Sequence, residues 1–130
     1  MKGYITNIEK LTIDNTYFRQ VLYTDDRLQL VVMSLNPLED IGMEVHELDQ
    51  FIRIEKGEGK SVLDGEEREL ADSSIVIVPH GTMHNIINTS SSLPLKLYTL
   101  YAPPNHKAGT IHKTKADAEA DTEDQYVEGK

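Results

Sequence analysis

Short runs of apolar and β-branched residues, separated by turn-forming residues, recur along most of the chain. The first two runs, residues 18–24 and 28–35, are separated by three polar residues, which is a spacing typical of a hairpin. The later runs lie at residues 50–55, 60–63, 74–78 and 95–101. Many short strands at this spacing predict an all-β sandwich or a small barrel.

The amino-terminal segment fits two kinds of structure. In residues 5–14, Leu11 and Ile13 are spaced for one face of a strand, whereas Ile5, Ile8 and Leu11 are spaced for one face of a helix. We favour an edge strand here.

The carboxyl-terminal segment has a helical pattern. Thr114 begins a sequence similar to a capping box, and the alanine- and acid-rich residues 116–123 follow it. A short helix is therefore predicted near the end of the chain. The predicted organisation is an amino-terminal arm, a β-barrel and a tail with this helix, at residues 1–16, 17–104 and 105–130.

Composition narrows the functional classes. The 130 residues are 38% hydrophobic, which suffices for one ordinary domain. A net charge of −9 argues against binding to nucleic acid, because phosphate backbones are bound by clustered lysine and arginine. Cysteine is absent, which excludes disulfides and thiol nucleophiles. No run reaches the roughly 18 apolar residues of a membrane span, and no signal-peptide pattern opens the chain, so we expect a cytoplasmic protein without a membrane partner.

A polar cluster interrupts the strand-like pattern near residue 46. Glu44 and His46 are two residues apart, so both side chains point to one face of an extended segment. Gln50 shares their parity, although a bulge between them could break it. Glu47 and Asp49 have the opposite parity, and we predict that they face solvent.

A second polar motif begins about thirty residues later. Pro79 and Gly81 turn the chain, and His84 follows three residues after the glycine, at the predicted start of a strand. Asn88 closes the motif, and we predict that it fixes the following loop. The two motifs together indicate a metal site between distant parts of the chain.

These motifs resemble those of the cupin superfamily, G-x5-H-x-H-x3,4-E-x6-G and G-x5-P-x-G-x2-H-x3-N. Residues 44–46 occupy the H-x-H positions, and Gln50 stands where the glutamate is expected. The second motif fits from residue 79 to residue 88, with Ser73 in place of its leading glycine. The resemblance extends over about residues 17–103. It implies the double-stranded β-helix, or jelly roll, of the small RmlC-like cupins.

The resemblance also implies a metal-ligand set and a homodimer. Carried over residue by residue, the ligands are Glu44, His46, Gln50 and His84. Two imidazoles and one carboxylate suit Fe(II) or Mn(II), and Zn(II) could also bind. Gln50 is either a direct ligand or a residue that orients one.

Three functions remain open. The first is a metal-dependent enzyme, similar to an isomerase, that acts on a small polar substrate such as a sugar or sugar acid. The second is an iron-dependent dioxygenase, and the third is a non-catalytic domain that binds or senses a small molecule. Tyr98 or Tyr101 should face the cavity, and for these residues and Gln29 packing is favoured over catalysis. His106 and His112 are predicted to face solvent.

Overall fold

The structure is a computed structural model that describes residues 3–127, and it folds as a jelly roll of antiparallel strands. The elements in chain order are α1 (Ile8–Asp14), β1 (Arg19–Thr24), β2 (Gln29–Leu35), β3 (Asp49–Lys56), β4 (Gly59–Leu63), β5 (Glu66–Leu70), β6 (Ile75–Val78), β7 (His84–Asn88), β8 (Leu95–Ala102), β9 (Ile111–His112) and α2 (Lys115–Ala120). The predicted all-β fold is therefore confirmed.

The strands form two sheets. One sheet has the strand order β6-β3-β8-β2-β1-β9, and the other has the order β5-β4-β7. The predicted hairpin joins β1 to β2, where the Asp25 carboxylate accepts hydrogen bonds of 2.8 Å from the backbone N–H groups of Arg27 and Leu28. Such a bond pattern closes the turn locally, so the strand register does not depend on distant contacts.

Alternation along the strands determines which side chains enter the core. In β3, Gln50, Ile52 and Ile54 are buried, whereas Phe51 and Arg53 on the other face are partly exposed. The period of two residues along a strand explains this pattern. It also carries a polar side chain, that of Gln50, to the inside of the barrel.

The amino-terminal segment is a helix, so the prediction of an edge strand for residues 5–14 is wrong. The Asn7 side chain accepts a hydrogen bond from the Lys10 backbone N–H at 3.0 Å, which caps the first turn of α1. Lys10 and Asp14 then form an ion pair of 2.7 Å one turn apart. The spacing of apolar residues is compatible with both a helix and a strand, and the cap at Asn7 favours the helix.

The predicted carboxyl-terminal helix is present as α2. The Thr114 hydroxyl accepts a hydrogen bond from the Asp117 backbone N–H at 3.1 Å, as the capping-box interpretation requires. The helix ends at Ala120, three residues before the predicted end. Within residues 3–127, the structure has no helix long and apolar enough to cross a membrane.

Candidate metal centre

Backbone pairing brings the two polar motifs together. Glu44 and His84 form an isolated antiparallel bridge, in which each backbone N–H donates to the other residue's carbonyl oxygen at 2.9 Å. The Gly81 N–H also donates to the His46 carbonyl oxygen at 2.7 Å. The turn before β7 is thereby fixed against the segment that carries Glu44 and His46.

Three of the four predicted ligand side chains lie close together, although their ligand atoms are not all within 4.8 Å of one another. His46 Nε2 lies 2.9 Å from Glu44 Oε2, and the ring centroids of His46 and His84 are 5.2 Å apart. Burial of the Glu44 carboxyl opposes ionisation, but the hydrogen bond from His46 and nearby charges such as that of Arg19 together outweigh it and lower the pKa of Glu44. The site therefore holds one carboxylate beside two imidazoles.

The tautomer of His84 is suited to a ligand role. Its Nδ1 lies 2.9 Å from the Thr82 carbonyl oxygen, and because a carbonyl only accepts, Nδ1 must carry the proton. The lone pair is then on Nε2. A backbone carbonyl that orients a histidine in this way is a usual feature of metal sites.

Gln50, the fourth predicted residue, is 5% exposed and has an unsatisfied oxygen. Its Nε2 donates to Thr99 Oγ1 at 3.0 Å, which orients the amide. Within residues 3–127, its Oε1 is buried without a hydrogen-bond partner. Leaving such an atom unpaired costs about 1–3 kcal/mol, and a cation would satisfy it. This oxygen, one carboxylate and two imidazoles are a donor set that fits a divalent metal ion.

An aromatic side chain faces the predicted ligands, as expected for one of two tyrosines. Tyr101 is buried, and its ring meets that of His46 edge to face at a centroid distance of 6.1 Å. Tyr98 lies on the opposite face of β8 and packs against Phe51. Burial raises the pKa of the Tyr101 phenol well above its usual range, so the group is a hydrogen-bond donor at neutral pH.

The prediction that His106 and His112 face solvent is wrong, because they are only 5% and 3% exposed. His106 Nδ1 lies 2.7 Å from Asp124 Oδ2, and His112 Nε2 lies 2.9 Å from Asp121 Oδ2. His106 Nε2 lies 3.4 Å from the Tyr101 hydroxyl, at the limit of a hydrogen bond. The carboxyl-terminal tail thus places polar side chains next to Tyr101.

Arg19 on β1, a residue that the sequence analysis missed, contacts these tail residues. Its Nη1 lies 3.2 Å from His112 Nδ1 and 4.0 Å from Asp124 Oδ2. We call Arg19, His106, His112, Asp121 and Asp124 the tail network. The sequence could have indicated a role for Arg19. Arg19 shares the parity of Val21, so a charged residue occupies a core-facing position of a strand.

Part of the tail network has the composition of a metal site. One ligand atom each from His112, Asp121 and Asp124 lies within 4.8 Å of the others. However, the Arg19 guanidinium can only donate, so His112 Nδ1 must accept from it and Nε2 must carry the proton. Nε2 then donates to Asp121 and has no lone pair for a metal. These contacts favour an ion-pair network.

Gln29 anchors the beginning of the tail to the barrel. Its Oε1 accepts hydrogen bonds from the backbone N–H groups of Asn105 and His106 at 3.1 and 2.9 Å. Its Nε2 donates to the His106 carbonyl oxygen at 2.8 Å. The predicted preference for packing over catalysis at Gln29 agrees with these contacts.

Asp124→Asn is expected to reduce stability in a pH-dependent manner. Burial of the carboxyl opposes ionisation, but the hydrogen bond from His106 and the nearby charges lower the pKa of Asp124 from 3.8 to about 2. The ionised group therefore stabilises the fold above about pH 4, by about 2 kcal/mol, and this contribution is lost as the pH falls toward 2.

Urea unfolding of both proteins at pH 7, with a second series toward pH 2, measures this difference. Glu119→Gln, on the exposed face of α2, is the matched control and should change little. A difference that stayed constant down to pH 2 would contradict the assigned role of the carboxylate.

Comparison with known proteins identifies the class. The sequence model of the cupin domain matches residues 31–101, so the chain belongs to the cupin family. It is 48% identical over 127 residues to the uncharacterized protein YrkC of Bacillus subtilis strain 168, covering 92% of this chain and 67% of YrkC. It is also 43% identical to the uncharacterized protein L612 of Acanthamoeba polyphaga mimivirus, over 83% of this chain and 70% of that protein.

Solved structures agree with this assignment. The crystal structure of BH2720 from Bacillus halodurans is 43% identical, with a TM-score of 0.89 over 92% of this chain and 96% of that one. KdgF from Halomonas sp. is 23% identical, with a TM-score of 0.62 over 67% of this chain and 78% of that one. At 23% identity, the similarity to KdgF concerns the fold alone.

Proposed function

We propose that this cupin is a metal-dependent enzyme that acts on a small polar metabolite, in the manner of a sugar or sugar-acid isomerase. The observation that carries the proposal is the proximity of Glu44, His46 and His84, together with a buried amide oxygen of Gln50 that has no partner within the described residues. Fe(II) or Mn(II) suits this donor set best.

A bound divalent ion would polarise the oxygen atoms of a substrate and stabilise negative charge on them. The chain's own residues would hold the ion through Glu44 Oε2, His46 Nε2 and His84 Nε2, and Gln50 Oε1 would be the fourth donor. The ion would replace the proton that His46 Nε2 donates to Glu44, so metal binding would release this proton. The Tyr101 hydroxyl, 3.4 Å from His106 Nε2, would lie between this ring and the substrate.

Isomerisation also needs a proton carrier, and the residues behind Tyr101 offer one. Burial lowers the pKa of His106 more than the adjacent Asp124 carboxylate raises it, so the imidazole is neutral at pH 7. Its Nδ1–H donates to Asp124, which leaves the lone pair on Nε2, toward the Tyr101 hydroxyl. A neutral imidazole held by a carboxylate is a common general base.

The test has two stages. Untagged protein purified without added metal should contain near-stoichiometric iron or manganese by elemental analysis. The loaded protein is then incubated with a panel of sugars and sugar acids in D2O, and NMR should show deuterium incorporation at a carbon beside a carbonyl group. His106→Asn should retain the metal and lose the exchange.

The second candidate function is a dioxygenase, because two histidines and one carboxylate are the ligand set of non-haem iron oxygenases. Substrate-dependent oxygen uptake by the iron-loaded protein, without deuterium exchange, would favour it. Protein that remains empty after reconstitution would contradict both enzymatic functions and favour a domain that binds a ligand without metal.

A further inference from the structure

Arg19 carries a buried positive charge that its protein partners satisfy only in part. The side chain is 8% exposed, and Asp124 supplies the one carboxylate within 4.0 Å of it in residues 3–127. That carboxylate already accepts from His106 at 2.7 Å and from the Lys107 backbone N–H at 3.1 Å. Arg19 Nε is buried and has no hydrogen-bond partner in the same part of the chain.

A buried guanidinium with an unpaired N–H group destabilises the fold unless a further acceptor binds it. A buried guanidinium loses its hydration, and the loss is offset only where its N–H groups find acceptors. Within residues 3–127, the one side-chain hydrogen bond of Arg19 is to His112 Nδ1, at 3.2 Å. The Arg19 Nε–H group can therefore donate a hydrogen bond to an acceptor atom of a bound ligand.

The guanidinium is connected to the candidate metal centre through side-chain contacts. A chain of contacts runs from Arg19 through Asp124 and His106 to the Tyr101 hydroxyl, and the Tyr101 ring meets that of His46. In agreement with this, the positive charge of Arg19 contributes to lowering the pKa of Glu44, where it follows burial and the contacts with His46 in size.

The charge balance of these side chains indicates the charge of the ligand. Glu44 and Asp124 are negative and Arg19 is positive, so a divalent cation leaves one positive charge unbalanced. Asp121 accepts a hydrogen bond from the neutral His112 ring and is 37% exposed, so solvent screens its charge. A carboxylate would neutralise the remaining charge, whereas a phosphate monoester would bring nearly two negative charges.

We infer that Arg19 is the anion-binding residue of the site and that the substrate is a small organic acid, whose carboxylate it holds while hydroxyl or carbonyl oxygens of the same molecule reach the metal. The planar guanidinium offers paired N–H donors that match the two oxygens of a carboxylate. The inference rests on the proposed metal-dependent function, and it narrows the substrates to sugar acids and hydroxy acids.

The test compares three probes that differ at one carbon: glucuronate, glucose and glucose 6-phosphate. Isothermal titration of the Mn(II)-loaded protein should show that glucuronate binds about tenfold or more tightly than glucose, with glucose 6-phosphate weaker than glucuronate. Arg19→Gln should remove this preference while glucose binding and manganese content stay unchanged. Arg27→Gln, at the exposed hairpin turn, is the matched control and should keep the preference.

Each outcome decides the matter. A preference that survives in Arg19→Gln, or tighter binding of glucose 6-phosphate, overturns the inference. Equal or absent binding of glucuronate and glucose by the wild type does so even if Arg19→Gln fails to fold. If manganese is bound normally in these cases, only the inference fails; if the wild type takes up no manganese, the proposed function fails with it.

Discussion

His84→Ala is expected to abolish stoichiometric metal binding while the barrel remains folded. His84 is the first residue of β7, and its Nε2 carries the lone pair that a metal needs. Loss of a residue that merely orients a ligand lowers metal affinity about 10–100-fold, so loss of a ligand should have a larger effect. Elemental analysis of wild type and variant, purified side by side, measures the change.

His80→Ala is the matched control for this experiment. His80 lies four residues earlier, in the turn before β7, and its side chain is 71% exposed near Asp49. It should retain the metal content of the wild type. Glu44→Gln provides an independent second variant, which should also lose metal. Circular dichroism establishes that each variant is folded; a folded His84→Ala protein with unchanged metal content would refute the ligand assignment.

Asn88→Ala is expected to lower the free energy of unfolding by about 3 kcal/mol. The side chain is completely buried, and the two N–H groups of its Nδ2 are shared among the carbonyl oxygens of Leu35, Asn36 and Leu93 at 2.9–3.1 Å. Its Oδ1 accepts from the Ser90 backbone N–H at 2.9 Å. The substitution leaves these buried groups without a partner and also leaves a cavity. Chemical unfolding measures the loss.

Asn88→Asp should cost at least as much, because a carboxylate keeps the shape of the amide but cannot donate to three carbonyl groups. Ser92→Ala, on the exposed loop before β8, is the control and should change stability by less than about 0.5 kcal/mol. A loss below about 1 kcal/mol for both Asn88 variants would mean that the loop rearranges to satisfy its own backbone.

The barrel could be predicted because local patterns determine it. Alternation in residues 50–55 predicted that Gln50 enters the core with Ile52 and Ile54, and the structure has this arrangement. The turn at Pro79 and Gly81 predicted the strand that begins at His84. The structural role predicted for Asn88 is confirmed by its four hydrogen bonds.

The tail could not be predicted in the same way, because its contacts join residues far apart in the sequence. Arg19 and His112 are 93 positions apart, and His106 and Asp124 are 18 apart. No periodicity links such pairs, and a histidine in a polar segment is more often exposed. The helix α1 was mistaken for a strand for a different reason: the cap at Asn7 outweighed an ambiguous apolar pattern.

The boundaries of the cupin match have a consequence for how this family diverges. The matched residues 31–101 include all four predicted metal ligands, whereas Arg19, His106 and Asp124 lie outside them. Two homologues could therefore share the same four candidate ligands by inheritance and still differ in the charge near them, because selection can alter the flanking segments independently. Two such proteins are therefore expected to share a function only when the segments on either side of the cupin match are similar as well as the motifs.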